Sequence, residues 1–338
     1  MMQSDQTRSK PRSSMRRYAI FVLVITFVLC AAWTALWTYG RSIVAERVDQ
    51  VLQANADGPA TLLCADLGIS GFPFRMSLSC SKAGITESRR NISATLAGVE
   101  VTALVYQPRH VIAELASPLQ ITWNDDASPL SANWSRGLSS VQLSGEDLAR
   151  LSAEFDDLSV ATALGALNAG QLEFHARPTE DGRQTDLALS ADLATLAIQA
   201  ETSAPFSLDS TFRVDAPPQV LMAGNSGDSG ISVPDLNVLL TAGESRITTR
   251  GALTVSASGT VDGEVTIVTQ DIPALAAFMQ SLPSPVRGRL QAAVGGVIAL
   301  STPGTGETGQ PVSTLVVTIR ENVITAGNRQ IGVIGPPS

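Results

Sequence analysis

The chain is poor in the residues that most often carry chemistry. Its 338 residues include two histidines, three cysteines and two lysines, and only 5% are aromatic. Three cysteines exclude a disulfide-dense small scaffold and a zinc module with several thiolate ligands. The net charge of −8 argues against a nucleic-acid surface, because phosphate contacts need clustered cations. Charged residues are scarce at 16%, whereas hydrophobic ones reach 44%. That composition is unlike a disordered protein. It suffices for one large domain or two ordinary ones.

What is present begins with one long apolar run. Tyr18 to Tyr39 holds 22 residues without a charge. At 1.5 Å per residue it measures about 33 Å, enough for a hydrocarbon core of about 30 Å. Trp33, Trp37 and Tyr39 stand at its far end, where amphipathic rings favour the interface. Arg8, Lys10, Arg12, Arg16 and Arg17 precede it against one acid, Asp5. The positive-inside rule predicts a cytoplasmic tail over 1–17, a transmembrane helix over 18–39 and an exported remainder. A cleaved signal peptide is the rival reading, with Cys30-Ala31-Ala32 as a weak cleavage site. The apolar run continues well past that point.

The exported part, residues 41–338, carries 18 cations and 30 acids, and Lys82 is its one lysine. A charge near −12 disfavours general attraction to anionic headgroups. Contact with lipid is expected through acyl chains, or locally at a few arginines. Cys64 and Cys80 are the two exported cysteines. In an oxidising compartment they are a disulfide candidate, worth about 3 kcal/mol on a chain-entropy argument. Two buried thiols are the alternative.

Residues 40–58 continue at helical spacing and predict a stalk ended by Asp57-Gly58-Pro59. Period two then takes over. Val111, Ala113 and Leu115, then Phe206, Leu208, Phe212 and Val214, and later Leu315, Val317 and Ile319 alternate with polar residues. This is the pattern of antiparallel strands with one wet face. Parity places a three-residue turn at Val261-Asp262-Gly263. It also places a four-residue turn at Thr179–Gly182, setting Phe174 opposite Leu187 and His175 opposite Asp186. Asp271-Ile272-Pro273 predicts a helix start, with Pro283 and Pro285 stopping it. Residues 146–158 fit either period and read as a short helix running into a strand. The turn-rich stretch 216–234 divides the β-rich domain into parts at 59–215 and 235–338.

Candidate chemistry is thin. His110 falls in a predicted turn, and neither it nor His175 has metal-ligand spacing. Gly304 to Gly309 spells G-x-G-x-x-G, but a strand-like segment comes next where a dinucleotide site needs a helix. Asp125-Asp126 and Asp156-Asp157 read as solvated turns. Asn91-Ile92-Ser93 and Asn133-Trp134-Ser135 are sequons by pattern only. No catalytic residue, metal or cofactor is expected, and no enzyme.

One block is less generic: Cys64, then Gly71-Phe72-Pro73-Phe74-Arg75, then Cys80. It reads as a turn stapled by a disulfide, or as a mouth where Arg75 meets a headgroup and Phe72 and Phe74 meet acyl chains. A simple hairpin register leaves the two cysteines on opposite faces, so a bridge needs a bulge, expected near Gly71-Phe72. At this block the sequence resembles the alphaproteobacterial envelope proteins catalogued as domain of unknown function 2125. The likeness covers nearly the whole chain: basic tail, single anchor, the C…GFPFR…C block and strands to the end. It implies a bacterial inner-membrane protein with its bulk in the periplasm, and the family has no established activity. A looser similarity to AsmA-like proteins, carried by GALTVSASGTVDGEVTIVTQDIPALAAFM, implies a large twisted, curved or open barrel-like antiparallel sheet whose apolar face carries lipid.

Two functions are expected from this. One is a phospholipid-handling factor in outer-membrane biogenesis. The other is a structural or assembly protein with a closed β core that acts through envelope protein partners. An exposed or a buried apolar face separates them.

Overall fold

The computed structural model describes residues 13–55, 58, 60–88, 91–123, 129–145, 147–222, 230–306 and 309–335. The basic residues before Ser13, Asp57, Pro59, Asp125-Asp126, Glu146, residues 223–229 of the 216–234 stretch and Glu307-Thr308 lie outside these. Helix α1 (Ser13–Ala54) runs 42 residues without a break, so the apolar run and the stalk are one helix. Its last turn is closed by Asn55, whose side-chain amide donates to the Val51 carbonyl at 2.7 Å.

Strands make up most of the chain beyond α1. The first hairpin is built of β1 (Ala60–Ala65), β2 (Gly68–Ser70), β3 (Arg75–Cys80) and β4 (Lys82–Glu87). Then come β5 (Ile92–Leu104), β6 (Gln107–Trp123), β7 (Leu130–Asn133), β8 (Arg136–Ser144) and β9 (Asp147–Thr162). After them lie β10 (Gly165–Pro178), β11 (Thr185–Ile198), β12 (Glu201–Thr202) and β13 (Phe206–Val214). A short α2 (Pro218–Met222) precedes β14 (Ile231–Ala242), β15 (Ser245–Val255) and β16 (Val261–Gln270). Helices α3 (Ile272–Ser281) and α4 (Ser284–Leu300) lead to β17 (Thr302–Thr305), β18 (Pro311–Arg320), β19 (Val323–Ala326) and β20 (Arg329–Val333).

Among the described residues, all twenty strands belong to one antiparallel sheet whose pairings follow the chain. The composite strand β1–β2 lies beside β3–β4, and β5, β6, β8, β9, β10, β11, β13, β14, β15, β16 and β18 succeed one another in order. The ladder between β13 and β14 carries the sheet across the 216–234 stretch. Among the described residues, no ladder joins β20 back to β1 or β2.

Directly opposed residues in an antiparallel pair share a face, so the registers trace rows across the sheet. One row starts Ile69, Leu78, Val101, Ala113, Ser139 and Ala153. It continues Phe174, Leu189, Ser210, Val238, Thr249, Ile267 and Leu315. No charge interrupts it. A row on the opposite face runs Ser77, Thr102, Ile112, Ser140, Ser152, His175, Ala188, Thr211, Asn237 and Arg250, and is polar except at Ile112 and Ala188. Ser210 and Leu315 in the first row are buried, and its other members are half-buried. Among the described residues, the members of this row that take part in a buried cluster are Ile267 and Leu315. Helices α3 and α4 pack near β14, β15 and β18, with Phe278 of α3 against Phe206 of β13.

Several expectations are corrected by this pairing. Residues 147–158 are strand throughout, not a short helix, because Leu151, Ala153 and Phe155 pair on both sides with β8 and β10. The turn between β15 and β16 is Ser256–Thr260, closed by the Ser256 amide on the Thr260 carbonyl at 2.8 Å. Asp262 and Gly263 lie inside β16, where the Asp262 carboxylate accepts from the Glu321 amide. The β10–β11 turn spans Thr179–Gln184, so Phe174 opposes Leu189 and Arg177 opposes Asp186. His175 opposes Ala188 and hydrogen-bonds with Ser152 and Glu173. His110 lies in β6, hydrogen-bonded to Ser140, and Asp156-Asp157 lies in β9. In both turns the parity holds while the turn is longer or displaced, so the same side chains still face the same way.

Helix α3 begins as expected, with the Asp271 carboxylate accepting from the Ala274 amide at 2.9 Å. Helix α3 ends before Pro283 as expected, but a second helix, α4, not expected from the sequence, starts directly after it. Pro285 stands in its first turn, where the missing N–H costs nothing. Glu201 caps it from across the fold, accepting from the Ser284 amide at 2.6 Å and the Ser284 hydroxyl at 2.8 Å. These bonds, and then the Arg287 guanidinium, hold the Glu201 carboxyl below its ordinary range.

Candidate functional site

The C…GFPFR…C block builds the corner where the sheet meets α1. Cys64 and Cys80 form a disulfide with a Cα–Cα distance of 5.2 Å. In the ladder Cys64 opposes Ala83, three positions away from Cys80. The irregularity that the bridge requires is at Asp66, which has φ 50° between β1 and β2, and not at Gly71-Phe72. The Asp66 carboxylate is held there by the Ser81 hydroxyl at 2.6 Å.

The hairpin tip has a defined backbone. Gly71 has φ 106°, and its carbonyl accepts from the Arg75 amide at 3.1 Å. A Cβ at Gly71 would stand 2.8 Å from the Arg75 carbonyl oxygen. The Phe72-Pro73 peptide is cis. Gly71→Ala is therefore expected to cost about 1–3 kcal/mol, combining left-handed strain with a backbone clash. Gly145, at φ 69° in the β8–β9 turn, has open space around it. Gly145→Ala should cost only about 1 kcal/mol. Urea denaturation midpoints of the two variants measure the difference.

The tip leans on α1. The Trp33 indole N–H donates to the Pro73 carbonyl at 3.0 Å, and that of Trp37 to the Arg75 carbonyl at 3.5 Å. The Trp33 ring lies 6.0 Å from Phe74, and the Trp37 ring meets Phe72 edge-on at 5.5 Å. Trp33 and Trp37 are four residues apart, so one helix face presents both. The tip is also tied to the β5–β6 turn, where the Val105 amide donates to the Phe74 carbonyl at 2.9 Å.

The corner remains strongly apolar at its surface. Phe72 is 51% exposed, Phe74 60%, Val105 43% and Tyr106 68%. Arg75 is exposed beside them. The structure thus brings together Gly71, Phe72, Pro73, Phe74, Arg75 and the disulfide, and adds Trp33, Trp37, Val105 and Tyr106. Val105-Tyr106 was legible as an apolar pair in a turn between two long alternating strands, where polar residues are the norm. The apolar row starts within the same hairpin, at Ile69 and Leu78. Chemically the corner offers aromatic and aliphatic surface, one guanidinium and a path of apolar side chains leading away.

The opposite face carries the charges. Arg150, His175, Arg177, Asp186, Arg213 and Asp235 line an open depression of about 380 Å³ there. Asp186 accepts from Arg213 at 2.8 Å and lies 3.5 Å from Arg177. The bond to Asp186, and then its charge, raise the Arg213 guanidinium above its ordinary value. These are cross-strand pairs on a wet face, and their alternating signs account for them without a ligand.

Residues 37–334 match a family described as an uncharacterized protein conserved in bacteria (DUF2125), and the chain belongs to that family. No curated protein and no solved structure matches it. The looser likeness to AsmA-like proteins is not shown by these comparisons.

Proposed function

We propose that this protein is anchored in the bacterial inner membrane by α1, lies in the periplasm, and holds the acyl chains of phospholipid on the apolar face of its sheet, without catalysis. One observation carries the reading: a row of uncharged side chains runs from β2 to β18 and stays half-buried over most of its length. A closed core of this length would bury such residues, and an ordinary wet face would be charged. The occupant is argued from where the row begins. It starts in the hairpin held against a helix apolar and long enough to cross a membrane. Chains leaving that membrane meet the row first. Outer-membrane biogenesis is the setting in which a protein of this kind would serve.

Photo-crosslinking in the producing cell tests the proposal. Benzophenone side chains placed at Val101 or Val238 on the apolar face should give lipid adducts by mass spectrometry. The same group at Thr211 or Asn237 on the polar face should give none. Protein adducts alone at Val101 and Val238 would replace this reading with the assembly-protein one.

A further inference from the structure

We propose that the corner formed by the β2–β3 tip and the β5–β6 turn is itself immersed in the membrane leaflet farther from the basic tail. The inference rests on the anchor reading above but not on lipid being held along the sheet. Helix α1 supplies the ruler. Trp33 is sixteen residues beyond Arg17, about 24 Å along the axis, and Trp37 is about 30 Å along it. A hydrocarbon core is about 30 Å thick. Charged Arg17 marks one boundary, so Trp37 stands at the other and Trp33 about 6 Å inside it. The hydrogen bonds to Pro73 and Arg75 fix the tip at those two levels. Phe74 therefore reaches acyl-chain depth, whereas Arg75 sits at headgroup depth, where a guanidinium can meet a lipid phosphate.

The distribution of side chains along this edge agrees. Phe72, Phe74, Val105 and Tyr106 are exposed at the corner beside α1. Farther along the same edge, the β10–β11 turn carries Glu180, Asp181 and Arg183, all exposed. The Thr179 hydroxyl and then the Arg183 amide, both donating to Asp181, hold its carboxyl below the ordinary range, so it stays charged. The corner next to the helix is built for lipid, and the edge turns wet as it leaves the helix. Exposed aromatic and aliphatic side chains beside interfacial tryptophans are what a membrane surface accepts and water does not.

Spin labelling of the full chain in phosphatidylethanolamine–phosphatidylglycerol vesicles tests this. In a Cys30→Ser background with the disulfide intact, Phe74→Cys, Tyr106→Cys and Arg183→Cys each receive a nitroxide. Labels at 74 and 106 should collide more with oxygen than with a water-soluble nickel chelate, and the label at 183 should do the reverse. Tyr106 is mostly exposed in its turn, so its replacement leaves the fold intact even if that of Phe74 does not. A label at 106 as wet as that at 183, in protein that resists alkaline extraction, overturns the immersed corner and leaves the anchor standing. Protein released by alkaline extraction overturns both. Combining Trp33→Leu and Trp37→Leu removes both indole donors and should shift the label at 74 toward water.

Discussion

On the lipid-holding reading proposed above, Leu189→Arg is expected to stop lipid from passing the middle of the sheet while leaving the end of the row beside α1 occupied. Leu189 is directly opposed by Phe174 on one side and Ser210 on the other, so every path along the row crosses it. No acid lies among its row neighbours to pair with a guanidinium there. An apolar chain laid over that arginine would desolvate an unpaired charge. At least 1.4 kcal/mol is a modest figure for that, and it corresponds to about tenfold weaker occupancy beyond the block. The expected result is asymmetric: crosslinks at Val238 fall by about an order of magnitude, and crosslinks at Val101 persist. Leu189→Met keeps volume and apolarity and should leave both unchanged. The stability cost should be only about 1–2 kcal/mol, because Leu189 is half-buried and an arginine stem can lie along apolar surface. Equal loss at both probes would mean that the lipid does not start at the β2–β3 hairpin. No loss at either would mean that the row is not its path.

Much of this was legible in the sequence because period two survives errors in turn placement. The β10–β11 turn was expected at four residues and has six, yet even positions of β10 still oppose odd positions of β11. Parity alone set which side chains share a face, whereas register depended on hydrogen bonds inside the turn that alternation does not encode. The Thr179 amide bond to the Gln184 carbonyl, at 2.9 Å, is one such bond. Residues 147–158 went wrong for a related reason. Leu148, Leu151 and Phe155 fit a helical face as well as a strand, and only the flanking β8 and β10 decide. Helix α4 was hidden because Pro283 and Pro285 read as a stop, and Gly288, Gly295 and Gly296 lower its helix propensity. Its cap comes from Glu201, 83 residues away, where no local signal could be read. At the candidate site, the block from Cys64 to Cys80 and its bridge were legible. Its contact with Trp33 and Trp37 was not, because nothing in a single sequence says that residues 40 apart will meet.

Trp134→Ala is expected to be among the most destabilising single changes in the sheet, at about 3–5 kcal/mol. Trp134 and Ser135 are the two residues between β7 and β8, where β6 passes from one partner to the other. The indole fills that break. It is 8% exposed, packs with Ala132 and Leu158, and meets Phe155 edge-on at 5.0 Å. Its N–H donates to the Leu115 carbonyl at 2.7 Å, and the Ser117 hydroxyl donates to its own carbonyl at 3.0 Å. Truncation to alanine removes the ring and leaves the Leu115 carbonyl without its partner. Trp134→Phe keeps most of the packing and loses the donor, and should cost about 1–2 kcal/mol. Gly137 gives an independent check from the other side of the ring. A Cβ at Gly137 would stand 2.5 Å from the indole nitrogen, so Gly137→Ala must displace the same side chain. If the ring is the pin, Gly137→Ala in the Trp134→Ala background should cost little further. The double-mutant coupling, read from urea midpoints by far-ultraviolet circular dichroism, should then reach about 1–2 kcal/mol. Additive costs would instead mean that the two residues support β8 separately. Ser139 and Val141, which carry the apolar face through β8, come directly after this pin, so the same substitution should weaken the path at β8 before the sheet as a whole unfolds.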